Sequence, residues 1–135
     1  MNSNALKPKL LPCVIIKIMN ILINGAGRIG RNLIRRLIFS KKHRLHQIND
    51  PFLTIENLAY LLNFDSIYGK FSHQVEIKGK YLTIGNKKIL FLKDEDLLKR
   101  KIRNINLIID SSGLKKNHNL LKKRKQKSII THTYE

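Results

Sequence analysis

Three glycines at fixed spacing follow an apolar run near the start of the chain. Residues 20–30 read NILINGAGRIG and place Gly25, Gly27 and Gly30 directly after that run. In a strand-turn-helix unit, the first glycine permits a tight turn and the second lets the backbone approach a pyrophosphate, while the third lets the helix pack closely on the strand. The helix start also offers unpaired backbone N–H groups and the positive end of its dipole to phosphates. The spacing therefore predicts a dinucleotide-binding turn.

The segments around this turn have the periodicity that such a unit requires. Residues 20–24 are rich in Ile and Leu, and residues 28–39 carry apolar side chains at helical spacing. A second strand, predicted over residues 45–49, leads into Asp50. This acid lies about 20 residues beyond the last glycine, where a ribose-binding carboxylate belongs.

Asp50 also bears on the choice between the two nicotinamide cofactors. A carboxylate at this position accepts hydrogen bonds from the ribose hydroxyls and repels a 2′-phosphate. Pro51 and Phe52 follow it, and no arginine is there to accommodate that phosphate. The residues thus predict NAD rather than NADP, with the alternative that Asp50 only begins the turn at Asp50-Pro51.

Four segments, in order, resemble motifs of the glyceraldehyde-3-phosphate dehydrogenases. NGAGRIGR (residues 24–31), INDPF (48–52), FDSIYG (64–69) and DSSG (110–113) are similar to that family's NGFGRIGR, INDPF, YDSxHG and ESTG. The resemblance runs from residue 19 to about residue 131. The erythrose-4-phosphate dehydrogenases share the layout but less of the INDPF wording. The resemblance implies an NAD-binding oxidoreductase of glycolysis.

The resemblance also implies roles for individual residues. Backbone groups of Arg28 and Ile29 would contact the pyrophosphate, and Asp50 would hold the adenosine ribose. Ser112 and Gly113 would line the cofactor groove, with Thr131 in place of a groove serine. The cofactor-binding set predicted in this way is Asn24, Gly25, Gly27, Arg28, Ile29, Gly30, Asp50, Ser112, Gly113 and Thr131.

Several positions depart from the family pattern. The family's Phe in the first motif is Ala26, its His in the third is Tyr68, and the aromatic residue after the fourth is Lys115. Residues 93–95 (KDE) stand where the family often has an Arg near the adenine. We expect the adenine wall to be damaged at Ala26 and Lys115, and NAD to bind weakly.

The family's nucleophile does not occur in this sequence. The resemblance implies an aldehyde oxidation through a cysteine thioester, with the cysteine in a Ser-x-Cys-Thr-Thr-Asn motif and an activating His in a second domain. The 135 residues contain one cysteine, Cys13, upstream of the first predicted strand. We predict no catalytic residue here, and a chain that is a fragment, a split subunit or a degenerate paralogue. A split subunit would pair with a separate catalytic half or with copies of itself.

The charge of the chain supports a second hypothesis. A net charge of +18 arises from 27 basic and 9 acidic residues, and residues 122–125 (KKRK) form the densest basic run. Such a chain attracts nucleic acid and other polyanions without sequence preference. The alternative function is therefore a noncatalytic paralogue that binds RNA or another polyanion. A purely compositional origin also fits, because Lys, Ile and Asn are abundant throughout and no aromatic stripe separates the basic residues.

The order of predicted elements is that of an α/β fold. We expect a Rossmann-type, doubly wound, mostly parallel sheet with a short antiparallel insertion, ending before the catalytic domain. Residues 1–18 are predicted to be a disordered extension and 19–135 the NAD-binding domain. Helices are predicted over 28–39, 54–63, 97–102 and 117–125, strands over 20–24, 45–49, 74–78, 81–84, 88–92, 106–110 and 128–131, and a loop over 64–69.

Cysteine, histidine and hydropathy patterns narrow the remaining classes. A single cysteine excludes a disulfide framework and fits a reducing compartment, so we predict a cytoplasmic protein. No apolar run in the sequence is long enough to span a membrane. The histidines do not form a ligand set, and the pair His43 and His46 is expected in a solvated loop rather than on a metal.

Overall fold

The computed structural model describes residues 17–132. The expected disorder of residues 1–18 therefore concerns a segment that, apart from Lys17 and Ile18, lies outside the described residues, as does Cys13. Helices are α1 (Arg28–Ile38), α2 (Ile55–Asn63) and α3 (Lys115–Lys122), with one 3-10 turn, η1 (Leu97–Lys99). Strands are β1 (Met19–Asn24), β2 (His43–Asn49), β3 (Phe64–Asp65), β4 (Gly69–Lys70), β5 (Val75–Lys78), β6 (Tyr81–Ile84), β7 (Lys87–Leu92), β8 (Leu107–Asp110) and β9 (Lys127–Ile130).

One sheet of seven strands organises the described part of the chain. Its order is β5-β6-β7-β2-β1-β8-β9, and β3 and β4 pair separately as a short hairpin. The strands β7, β2, β1, β8 and β9 run parallel, whereas β5 and β6 add to the β7 side in antiparallel fashion. The predicted α/β, Rossmann-type sheet with an antiparallel insertion is confirmed.

The order of the parallel strands places a crevice next to β1. The chain passes from β1 to β2 on one side and later returns to β8 on the other. In register, Asn24 at the end of β1 is level with Asn49 of β2 and with Asp110 of β8. Ligands of open α/β sheets bind outside the carboxyl ends of the strands at such a switch point.

Apolar side chains fill two layers, one on each face of the sheet. Ile21 and Ile23 of β1 pack with α1 and α2, whereas Leu22 between them points to the opposite face. The second layer contains Leu97 of η1 and Leu121 of α3. The period of two along β1 follows from the alternation of side chains in a strand buried on both faces.

Helix α2 shows the local rules most clearly. Thr54 caps its start, since the Thr54 hydroxyl accepts a hydrogen bond from the N–H of Asn57 at 3.1 Å. The predicted apolar stripe is buried at Leu58 and Leu62, and both side chains are fully enclosed. The helix consequently fixes the entry into the β3–β4 hairpin that follows it.

Three predicted boundaries are wrong. The sequence predicts a loop over 64–69, but these residues begin the β3–β4 hairpin, because the Asp65 carboxylate accepts the N–H groups of Ile67 and Tyr68 and tightens the turn. The predicted helix over 97–102 is only the 3-10 turn Leu97–Lys99. The predicted basic helix over 117–125 is instead Lys115–Lys122, so it begins two residues earlier and ends three residues earlier than predicted.

Arg124 lies in the turn after α3. Its guanidinium donates to the carbonyl oxygens of Leu98 at 2.7 Å and Arg100 at 2.9 Å, and to the side chain of Gln126. Gln126 in turn donates to the carbonyls of Ile102 and Ile105. The bonds to these four carbonyl oxygens each cross more than twenty positions of sequence, so helical periodicity alone gives no signal for them.

Candidate cofactor site

The three glycines of the turn between β1 and α1 have different steric surroundings. Gly25 has φ +99°, and a Cβ atom there would lie 2.5 Å from the backbone nitrogen of Ser112. A Cβ atom on Gly30 would overlap the carbonyl oxygen of Gly25. At Gly27, by contrast, an added Cβ would meet no described atom within 4 Å. Gly25 and Gly30 are needed for the turn itself, whereas Gly27 leaves its outer side open to a ligand.

The start of α1 is suited to an anion. Gly27 is the N-cap, and within the described residues no side chain caps this end and no acidic residue lies in the first turn. The first intrahelical bond runs from the N–H of Arg31 to the carbonyl of Gly27 at 2.9 Å. The preceding amides, including those of Arg28 and Ile29, have no partner within the helix, and both residues are exposed. A pyrophosphate fits this end, where amides and dipole act together.

Asp50 connects the second strand to the glycine turn. One oxygen of its carboxylate accepts the N–H of Ala26 at 2.8 Å, and the other accepts those of Phe52 and Leu53 at 2.9 and 3.2 Å. Asp50 therefore does hold the turn at Pro51, but it also reaches the glycine loop. An ionised carboxylate accepts about four hydrogen bonds. The Oδ2 atom, with one partner among the described residues, retains capacity for a ribose hydroxyl.

These elements surround one cleft at the carboxyl ends of β1, β2 and β8. Five residues of the predicted set line it: Asn24, Gly25, Gly27, Asp50 and Ser112. Arg28, Ile29 and Gly30 continue from it into the first turn of α1. Further lining comes from Asn49, Pro51, Phe52, Asp94, Glu95, Leu97, Leu98, Ser111, Leu114, Lys116 and Asn117.

Two predicted residues lie apart from the cleft lining. Gly113 is exposed, with φ +73°. Thr131 directs both its backbone N–H and its hydroxyl to the carbonyl oxygen of Asp110, at 3.1 and 3.3 Å. The structure thus gives Thr131 a partner in β8, and the cofactor contacts of both residues stay predictions.

The expected damage to an adenine wall at Ala26 is wrong. Ala26 is fully buried and packs in the apolar layer beneath α1 and α2, so its side chain faces the core rather than the cleft. Lys115 is exposed at the start of α3, outside the cleft lining of the described residues. Leu114, the residue before it, supplies an apolar surface to the cleft instead.

A buried polar cluster behind the cleft is not predicted by the motifs. Asn24 donates to Asp110 at 2.9 Å and accepts from Asn49 at 2.8 Å. Asn49 also holds the backbone of Asp94 through a reciprocal pair of 3.0 Å bonds. Asn117 donates to the Ser112 hydroxyl at 2.8 Å. The sequence does carry a simple signal for this cluster, because Asn24, Asn49 and Asp110 are each the last residue of a buried parallel strand.

The third motif lies on the outer face of α1 rather than in the cleft. The backbone N–H groups of Tyr68 and Ile67, in that order of importance, lower the pKa of Asp65 below its ordinary value. Tyr68 accepts a hydrogen bond from the amide of Asn32 at 3.1 Å. Arg35 donates to the carbonyls of Leu62 and Gly69. These contacts fix the hairpin to the helix that carries the anion-binding end.

A protein-family model supports the assignment of this cleft to NAD. The model described as the NAD binding domain of glyceraldehyde 3-phosphate dehydrogenase matches residues 19–118, from the first residue of β1 into α3. The chain belongs to the glyceraldehyde-3-phosphate dehydrogenase family. NAD is accordingly the cofactor of this family member, as the glycine spacing and Asp50 predicted.

Individual members of the family are similar in sequence to this chain. The chain is 39% identical over 98 residues to glyceraldehyde-3-phosphate dehydrogenase 3 of Kluyveromyces marxianus, covering 71% of this chain and 30% of that protein. It is 36% identical over 106 residues to glyceraldehyde-3-phosphate dehydrogenase 1 of Agaricus bisporus, covering 77% and 32%. The matches thus cover about a third of the length of these curated relatives.

The described residues offer neither a metal-binding cluster nor a membrane-spanning helix. Within residues 17–132, no three His, Cys, Asp or Glu side chains are grouped so that they could hold a metal ion. None of the helices in that range combines the length and the apolar character that crossing a bilayer requires. His43 and His46, expected in a loop, instead belong to strand β2.

Proposed function

We propose that this chain binds NAD across the carboxyl ends of β1, β2 and β8 and serves as the cofactor-binding part of an aldehyde-oxidising dehydrogenase. The observation that carries the proposal is the convergence of the open Gly27 backbone, the uncapped start of α1 and the Asp50 carboxylate on one cleft. The bound nicotinamide supplies a hydride acceptor, and the chain itself supplies binding and orientation.

Each part of the cleft has a proposed role. The first-turn amides of α1, at Arg28 and Ile29, hold the pyrophosphate. The Oδ2 atom of Asp50 accepts a ribose hydroxyl, while its bond from the Ala26 N–H keeps it in place. A 2′-phosphate would approach this buried carboxylate and the acidic side chains of Asp94 and Glu95. Repulsion among these charges favours NAD over NADP.

Aldehyde oxidation needs a nucleophile in addition to this cleft. The sequence contains a single cysteine, Cys13, and none in the family's catalytic motif. We therefore hold that the 135 residues bind cofactor without oxidising the aldehyde, as the fragment and split-subunit hypotheses both require. We propose that the nucleophile comes from a separate catalytic half. The chain would assemble with that half or with copies of itself, in the cytoplasm.

Calorimetric titration with NAD and NADP tests the binding proposal. We expect micromolar to millimolar NAD binding, corresponding to about 4–8 kcal/mol, and weaker binding of NADP. Asp50→Asn should weaken NAD binding by about tenfold, the loss of one charge-assisted hydrogen bond of about 1.5 kcal/mol, and should narrow the gap to NADP. Asp65→Asn is the matched control, since it removes the same charge on the outer face of α1 and should leave NAD affinity unchanged. Absence of NAD binding up to several millimolar, or tighter binding of NADP, would refute the proposal.

Formation of NADH from glyceraldehyde 3-phosphate and phosphate tests the catalytic part separately. We expect no turnover by the chain alone, because covalent catalysis requires an activated cysteine. Turnover that survives Cys13→Ser would reveal a nucleophile other than cysteine. Turnover that this substitution abolishes would place Cys13 in the reaction, and either result would contradict the proposal while leaving NAD binding intact.

A further inference from the structure

A cavity of about 390 Å³ lies at the end of the sheet opposite the cofactor cleft. Its walls are the end of α1 and the loop after it, the start of β2, and the β6–β7 hairpin with the start of β7. Strands β2 and β7 are parallel, and the cavity meets their first residues, whereas the cofactor cleft lies beyond the last residues of β2. We call this second space the basal cavity, and it is separate from the cofactor site.

The floor of the basal cavity is aliphatic. Leu37 and Ile38 reach it from α1, Leu45 from β2 and Ile89 from β7. The last three are buried in the apolar layer beneath α1, so the floor is continuous with the core. No Phe, Tyr or Trp is among the described lining. A group bound here would therefore contact saturated carbon, as a hydrocarbon chain does, and would meet no such ring on which to stack.

The rim of the basal cavity is cationic. Four exposed basic residues form it: Lys41, Arg44, Lys87 and Lys88. Two of them are held in place, since the Lys87 amine donates a hydrogen bond to the carbonyl oxygen of Ile38 and the Lys88 amine lies 4.1 Å from the ring centre of Tyr81. The described lining contains neither Asp nor Glu. Charges of one sign around a cavity with apolar walls attract an anion to its mouth.

One polar atom of the lining has no partner. His43 lines the basal cavity, and its Nδ1 atom is enclosed by protein without a hydrogen bond to any described residue. The backbone N–H of His43, by contrast, is bonded to the Ser40 hydroxyl at 3.1 Å. Buried polar atoms in folded proteins are nearly always hydrogen-bonded, and an exception points to a partner that the chain itself does not supply. An oxygen atom of a bound ligand is such a partner.

We propose that the basal cavity binds a medium-chain aliphatic monocarboxylate, with the hydrocarbon chain on the floor and the carboxylate at the cationic rim. The volume of the cavity, and a lining of aliphatic side chains with a few polar groups, are those of a small-molecule site. An inorganic anion would leave the floor without contacts, and an uncharged alcohol would leave the rim unused. This inference is independent of NAD binding, because the cofactor cleft lies at the other end of the strands.

Titration of the full chain with octanoate, followed by calorimetry and by amide NMR shifts, tests the inference. We expect sub-millimolar octanoate binding that shifts the amide signals of Leu45 and Ile89 but not those of Gly27 and Asp50. Butyrate should bind about tenfold more weakly, because it has fewer methylene groups to remove from water. Octanol and octylamine should also bind about tenfold more weakly, since the first carries no charge and the second carries the charge of the rim. Saturating NAD should leave octanoate affinity unchanged.

A pair of double variants separates the rim from net charge. Lys41→Gln with Arg44→Gln removes two exposed cations of the rim and should weaken octanoate binding about tenfold. Lys42→Gln with Lys80→Gln removes two exposed cations outside the described lining and should leave octanoate affinity nearly unchanged. A thermal melt of each variant checks that the fold is retained.

Four results would overturn the proposal. Equal losses in the two double variants would mean that net charge alone attracts octanoate. Equal affinity for octanoate, octanol and octylamine would mean nonspecific apolar binding. Competition by NAD would place octanoate in the cofactor cleft. Absence of octanoate binding up to several millimolar would also overturn it, and binding to phosphatidylserine vesicles in that case would assign the rim to a lipid surface instead.

Discussion

The two ends of the parallel strands are organised by different forces. At the carboxyl end, Asn24, Asn49 and Asp110 are buried and joined by hydrogen bonds of 2.8 and 2.9 Å. At the opposite ends of these strands, where they begin, exposed cations such as Arg44 and Lys127 extend into solvent, and we call this side the basic edge. Short-range bonds fix the geometry of the first region, whereas the second acts through a summed and salt-sensitive potential.

This difference sets the scale of what one substitution can do. A buried donor left without its acceptor costs about 1–3 kcal/mol, whereas a single surface charge usually changes stability by less than about 0.5 kcal/mol. The cofactor cleft is therefore sensitive to single residues. The basic edge responds to the number of charges removed, so only multiple substitutions test it.

The largest effect is expected from Gly30→Ala. The new methyl group would meet the backbone carbonyl of Gly25, which cannot move without disturbing the turn. We expect a loss of about 3 kcal/mol or more in unfolding free energy, measured by urea titration, because over-packing against backbone is not relieved by rotamer changes. Gly27→Ala is the matched substitution, and with open space around it stability should change by less than about 1 kcal/mol.

The same pair separates folding from binding. Gly27→Ala should still weaken NAD binding by about tenfold, or about 1.4 kcal/mol, because its methyl group occupies the path of the pyrophosphate. If Gly27→Ala leaves NAD affinity unchanged, the pyrophosphate does not cross the turn at this position. If Gly30→Ala is as stable as the unsubstituted chain, the turn is not as tightly packed as the close approach of Gly30 to Gly25 indicates.

Asp110→Ala should have the second largest effect. Asp110 is fully buried, and one of its oxygens accepts a hydrogen bond from Asn24 while the other has no hydrogen-bond partner among the described residues. Removing the acceptor leaves the Asn24 amide unsatisfied, so unfolding free energy should fall by about 2 kcal/mol. Asp96→Ala is the control, since it removes an exposed acid whose ion pair with Lys99 lies in solvent and contributes little to stability. Comparable losses in both variants would argue against a stabilising polar cluster at the strand ends.

A smaller effect, an increase in stability rather than a decrease, is expected from substitutions at the basic edge. The triple substitution of Lys42, Arg103 and Lys127 by Gln relieves repulsion among like charges, so the melting temperature should rise slightly at low salt. The gain should disappear above about 0.5 M salt, where the Debye length is a few ångströms. A gain that persists at high salt would mean that packing rather than charge is responsible. A decrease at low salt would show that these side chains make stabilising contacts.

The smallest expected effect concerns His46 in β2. Burial first, and the charge of Arg44 second, lower the pKa of His46 below its ordinary value of 6.5. Because the unfolded chain then binds this proton more readily, the contribution of neutral His46 to stability is fully present above pH 6.5. It decreases as the pH falls from 6.5 through the lowered pKa of the folded state. Arg44→Gln should raise the pKa of His46, as read from an NMR titration, whereas Lys78→Gln should not. An unchanged pKa of His46 in Arg44→Gln would show that the charge of Arg44 does not act on this imidazole.

Most elements of the fold were predictable because their signals are local. A run of Ile and Leu indicated β1, helical spacing indicated α1 and α2, and the cap at Thr54 set the start of α2 within one residue. The end of α3 was missed because Arg124, which lies beyond it, bonds to carbonyls of residues 98 and 100. The β3–β4 hairpin was missed because a pair of two-residue strands has too little alternation to be recognised.

The sequence by itself determined the cofactor turn, since Gly25, Gly27 and Gly30 act within a few residues of one another and their spacing encodes the geometry. Only the tertiary structure decided that Ala26 faces the core and that Asn24, Asn49 and Asp110 form one cluster. The physical reason is the parallel sheet. Its crossovers bring strand ends dozens of residues apart to a common edge, and no local pattern encodes which ends become neighbours.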